Sequence, residues 1–81
     1  MYVHIGEETL VRALDIVAII SRESIVSSSQ MNEFLTHDRL VSVDLSKGGY
    51  KSIVITKEKV YYSPLSSGTL KKRSYKLAAQ V

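Results

Sequence analysis

The sequence predicts an α+β fold, a small antiparallel sheet with a short middle helix and a C-terminal helix. Three observations predict it. Short runs rich in β-branched and aromatic residues recur along the chain at Tyr2–Ile5, Ile16–Ile20, Ile53–Ile55 and Val60–Tyr62. Glycine, serine and proline clusters separate several of them. Two stretches instead carry serine caps followed by apolar residues at helical spacing. With 81 residues and 44% hydrophobic content, the chain fills one small core over residues 1–81, and cores of this size stabilise a fold by only a few kcal/mol. Self-association is therefore expected.

The elements follow in order. Tyr2-Val3-His4-Ile5 has strand composition and stops at Gly6-Glu7-Glu8. Thr9–Ala13 forms a second strand and Asp15–Ser21 a third, whose almost unbroken apolar character is that of a central strand covered on both faces. Ser27-Ser28-Ser29-Gln30 offers a capping box, after which Met31, Phe34 and Leu35 share one face of a short helix ending near Asp38. That face covers the sheet. Leu40–Leu45 and Tyr50–Thr56 flank Ser46-Lys47-Gly48-Gly49, which reads as a hairpin because its glycines accept positive φ. A second turn at Lys57-Glu58 leads into Lys59–Ser63, and Pro64 ends the pairing. Tyr61 and Tyr62, as neighbours on a strand, point to opposite faces. With Leu65 they are expected to be structural, one tyrosine in the core and the other at a subunit contact. Ser66 or Ser67 then caps a last helix that docks through Leu70, Leu77 and Val81 and turns Lys72, Arg73 and Lys76 elsewhere.

Composition narrows the function. The chain has no cysteine, which removes disulfide scaffolds, thiol catalysis and the Cys-based zinc sites and fits a reducing cytosol. The longest apolar run, Ile16–Ile20, falls far short of the ~18 residues of a membrane span, so a soluble, cytoplasmic protein with no membrane role is expected. Two histidines, His4 and His37, stand far apart and give no metal-ligand spacing. No serine sits in a nucleophile elbow, and Gly48-Gly49 lacks the strand-to-helix setting of a phosphate loop. Neither an enzyme nor a cofactor is expected.

Charge is the better lead. Residues 1–46 hold three Lys/Arg against seven Asp/Glu, and residues 47–81 hold eight against one, so the halves carry −4 and +7. Such a chain attracts a polyanion, and equally attracts copies of itself head to tail, in contacts that must close into a ring or grow into filaments. The cations form two groups, Lys47, Lys51, Lys57 and Lys59 around the turns, and Lys71, Lys72, Arg73 and Lys76 on the last helix. Each group alone reads equally well as a solvated face. Together in one half of the chain they make the case for phosphate contacts.

The segments "KSIVITKEKVYYSPLSSGTLKKR" and "MYVHIGEETLVRALDIVAII" resemble the bacterial extracellular-matrix regulatory protein family, over most of the chain and most weakly between Ser27 and Lys47. The resemblance implies a strongly bent sheet with helices, ring-like homo-oligomers, and transcriptional control of biofilm-matrix genes through double-stranded DNA. It also implies arginines at DNA just before the Ile-rich strand and as a pair in the later turn, where this chain has Asp15 and Gly48-Gly49. Any DNA surface here therefore uses other cations, namely Lys47, Lys51, Lys71, Lys72 and Arg73. The rival expectation is a non-catalytic assembly module that modulates a related matrix regulator by mixed assembly, without binding DNA itself.

Overall fold

The computed structural model describes residues 2–37 and 41–79, with the side chains of Phe34, Thr36, His37 and residues 75–79 left aside. The contacts expected of Phe34, Lys76, Leu77 and Val81, and the strand start at Leu40, lie outside this set. The fold is α+β. Six strands, β1 (Tyr2–Gly6), β2 (Thr9–Arg12), β3 (Ile16–Ser21), β4 (Val41–Asp44), β5 (Ser52–Thr56) and β6 (Lys59–Ser63), join three helices, α1 (Arg22–Val26), α2 (Ser29–His37) and α3 (Ser67–Ala79). Residues Ala13–Asp15, expected partly as strand, form a 3₁₀ turn between β2 and β3.

β1 and β2 make a separate two-stranded hairpin, and the other strands form one sheet in the order β3-β5-β6-β4. The chain reverses between β1 and β2 through Glu7 and Glu8, both at positive φ (44° and 61°), the geometry of a two-residue hairpin turn. Gly6, just before, has φ +132°, and a Cβ there would lie 2.7 Å from Pro64 Cδ. Only glycine lets the hairpin approach the end of β6 so closely.

Two expectations are corrected by the sheet order. The apolar third strand, β3, is an edge strand, and the fully buried centre is β5. Moreover, β4 and β5 are not a hairpin. β4 pairs in parallel with β6, Val41 opposite Lys59 through Asp44 opposite Tyr62, so β6 lies between the two strands expected to pair. The physical reason lies in the connecting loop. Asp44 Oδ1 accepts hydrogen bonds from Ser46 N (2.8 Å) and Ser46 Oγ (2.6 Å), and Oδ2 accepts one from Gly48 N (3.1 Å). With Lys47 at φ 56°, this side-chain-held turn carries the chain across the end of β6 instead of folding it back. The Lys57-Glu58 turn is a hairpin as expected, closed by Thr56 Oγ1, which accepts from Lys59 N at 2.9 Å.

The sheet is packed on both faces. On one face Val54 joins Val3, Ile5 and Val11 of the β1–β2 hairpin, Leu45, and Leu70 of α3, with Tyr61 and Leu65 against them. On the other Ile53, Ile55 and Val60 pack with Ile25 of α1, and Met31, Leu35, Tyr50 and Tyr62 close around them. Tyr61 and Tyr62 do point to opposite faces. Each packs against a core, and Tyr62 meets the Tyr50 ring edge-on, centroids 5.2 Å apart.

The helices begin where serines satisfy free backbone donors. Ser28 Oγ accepts from Met31 N at the start of α2, and Ser66 Oγ from Thr69 N at the start of α3. The short α1 had no counterpart in the sequence reading. It starts at Ser21, whose Oγ accepts from Ser24 N, with a serine where a capping box would show Glu or Gln.

Candidate nucleic-acid interface

Strand register sorts the cations into two ends of the molecule. The first end collects the start of β5, the finish of β6 and the β1–β2 turn. There Lys51 N donates to Ser63 O (2.8 Å), and the buried Ser63 Oγ donates to Ile5 O (2.5 Å). Ser52 Oγ donates to Leu65 O (2.6 Å) just before α3 departs. The exposed Lys47 side chain extends over this end, its Nζ 4.0 Å from Glu7 Oε1. Along α3, Lys71, Lys72 and Arg73 are all exposed. At about 1.5 Å of rise per residue they stand only some 7–11 Å along the helix from its Ser66 cap. The fold thus brings Lys47 and Lys51 to the end from which the cationic helix begins.

The three helix cations are not equivalent. Arg73 Nη1 donates to His4 O at 2.8 Å, so this guanidinium ties α3 to β1 and keeps its remaining donors for solvent or a ligand. No such bond holds the Lys71 or Lys72 ammonium among the described residues. Leu70, fully buried one position earlier, fixes which side of the helix faces outward.

The opposite end holds Arg12, Lys57 and Lys59 around an open cleft of about 390 Å³, also lined by Tyr2, Asp15 and Tyr61. The sequence reading placed Lys57 and Lys59 with Lys47 and Lys51, and the structure separates them. Here Asp15 dominates. Arg12 Nε and Nη2 donate to its two carboxylate oxygens at 2.9 and 3.0 Å, and Lys57 Nζ lies 4.0 Å away. The hydrogen bonds from Arg12 hold the Asp15 carboxyl below the usual carboxylate range, against the opposing effect of desolvation, with the charges of Arg12 and Lys57 helping. Asp15 therefore stays ionised at neutral pH and draws on two of the three cations. Asp44 is likewise lowered, by the bonds from Ser46 first, whereas burial beside Tyr50 raises Tyr62.

Among the described residues no group of three or more His, Cys, Asp or Glu is arranged to hold a metal ion. No described helix is long and apolar enough to cross a membrane. The site is a charged surface.

A small α+β domain with such surfaces fits many regulators, and the sequence narrows the class. The chain belongs to the extracellular matrix regulatory protein A-like family, whose sequence model matches residues 2–73. It is 43% identical over 74 residues to extracellular matrix regulatory protein B of Bacillus subtilis (strain 168), an alignment that covers 91% of this chain and 90% of that protein.

Proposed function

We propose that this protein is a non-enzymatic, cytoplasmic regulator of extracellular-matrix genes that binds double-stranded DNA as a ring-like homo-oligomer. The observation that carries the reading is the exposed cationic helix, Lys71, Lys72 and Arg73, beginning at the end of the sheet that also bears Lys47 and Lys51. One copy neutralises too few phosphates to bind duplex firmly. A ring repeats the surface, and the repeated weak contacts multiply. Contacts of this kind go to the phosphate backbone, so they set affinity and leave sequence preference nearly unchanged. The membership in a family of matrix regulators supports the same reading.

The test is a Lys71→Glu, Lys72→Glu variant, with oligomer mass and duplex affinity measured together over a salt series. Intact assembly with weaker binding, and a salt slope reduced by about 0.9 for each lost contact, is expected. Intact assembly with unchanged binding overturns the DNA assignment.

A specific observation favours a second reading, an assembly module that modulates a related matrix regulator. Asp15 pairs with Arg12 and Lys57, and Gly48 and Gly49 themselves offer no side-chain cation. If the wild-type protein binds no duplex at low salt yet assembles with a related regulator, this second reading replaces the first.

A further inference from the structure

Among the described residues, β3 pairs only with β5 and β4 only with β6, so each has one free edge at opposite sides of the sheet. An edge strand presents unpaired N–H and C=O groups, and monomeric proteins usually blunt such edges with charge or proline. β3 reads Ile16-Val17-Ala18-Ile19-Ile20-Ser21 and has neither. Its one irregularity is a bulge between Ile16 and Ala18, which leaves Val17 65% exposed. Beside it Leu14 is 86% exposed. At the other side of the sheet Val41, the first residue of β4, is 60% exposed.

These edges are complementary in direction and level. β3 is antiparallel to β5, β5 is antiparallel to β6, and β4 is parallel to β6, so β3 and β4 run the same way. Register runs level across the sheet, Ile19 with Val54, Tyr61 and Val43, and Ile20 with Ile53, Tyr62 and Asp44. A second copy related by rotation about an axis near the strand direction therefore brings its β4 start beside the first copy's β3 start, Val41 near Val17.

We infer that β3 of one copy is completed by parallel pairing with β4 of the next, so that the four-stranded sheet continues from subunit to subunit. The contact is heterologous, the kind that closes a ring. It rests on the homo-oligomer proposed above and names the surfaces that build it. Val17, Leu14 and Val41 become covered, and β3 gains the second neighbour that its composition fits.

The absence of native cysteine makes the test clean. Val17→Cys and Val41→Cys variants, each carrying a tag of different mass, are oxidised separately and as a mixture, and the disulfide-linked products weighed. Linked pairs in the mixture and few in either variant alone are expected. Strong self-linking of Val17→Cys alone would mean β3 pairing with β3 and overturns the inference. Absence of mixed linkage in a protein whose wild type is oligomeric overturns it and leaves the assembly reading standing, whereas a monomeric wild type overturns both. Independently, Val17→Lys should drop the solution mass to the 9.0 kDa of one chain, with the far-ultraviolet circular dichroism retained. A folded Val17→Lys protein of unchanged oligomer mass contradicts the proposal.

Discussion

β5 and β3 are neighbours in the sheet with nearly the same chemistry, Ser52-Ile53-Val54-Ile55-Thr56 against Ile16-Val17-Ala18-Ile19-Ile20-Ser21, and opposite surroundings. Every residue of β5 is buried. None of β3 is, although its residues are just as apolar. β5 is covered by the β1–β2 hairpin on one face, by the α1–α2 side on the other, and by a strand on each edge, whereas β3 lacks one strand. The comparison teaches that composition reports the environment a strand fits, and the pairing inferred above supplies β3 with what one chain lacks. On that inference, a strand with the sequence of a sheet centre standing at a sheet edge marks where a neighbour belongs.

Truncating each strand breaks or sharpens this contrast. Ile53→Ala, at a fully buried position, should cost about 2–5 kcal/mol of chain stability, because it removes apolar contacts and leaves a cavity. Val17→Ala should stay within about 0.5 kcal/mol in dilute, monomeric protein, because the side chain is already in water. Chemical denaturation at low concentration checks both. Equal losses would mean that β3 is covered within one chain.

A smaller effect is expected where the covered region holds polar groups. Ser63 is fully buried, its Oγ donating to Ile5 O and accepting from Leu65 N at 3.1 Å. Ser63→Ala should cost about 1–3 kcal/mol, since two backbone groups lose their partner away from water. The equivalent change at Ser21, whose Oγ caps α1 near the surface, should cost about 1 kcal/mol, the ordinary weight of an N-cap. Thermal unfolding of the two variants measures the difference, and a costlier Ser21→Ala would contradict the ranking of the two serines by burial.

The smallest effect is on pH dependence. Asp15 and Asp44 both have lowered values in the folded chain. Their stabilisation is whole above the ordinary aspartate value near 3.9 and drains away as pH falls through the lowered ones. Asp44 is exposed and Asp15 is only partly buried, so solvent screens both and the acid limb should be shallow. Asp15→Asn and Asp44→Asn should each flatten it further, read as melting temperature between neutral pH and strong acid. A steep loss of stability well above pH 4 would point to other groups.

Local chemistry made much of this fold legible. Pro64 and the serines after it announced the end of β6 and the start of α3, and Lys57-Glu58 announced the β5–β6 turn. Strand order was not legible, because the Asp44 carboxylate that turns the chain across β6 looks in sequence like any loop aspartate, and Gly48-Gly49 looks like a hairpin. α1 escaped because its cap, Ser21, sits at the end of a strand-like run. For the candidate site, the exposure of Lys71 and Lys72 could be read from the buried Leu70 beside them. The separation of Lys57 and Lys59 from Lys47 and Lys51 could not, since it depends on which end of the sheet each turn reaches. Nor could the tie made by Arg73, whose bond to His4 O joins residues 69 positions apart.

The central claim, that β3 is an edge in one chain and an interior strand in the assembled protein, is tested most directly by amide hydrogen exchange followed over protein concentration. The account predicts that β3 amides become as slow as those of β5 when the protein assembles and speed up on dilution, while β5 stays protected. Fast exchange in β3 at every concentration at which the oligomer persists would contradict it.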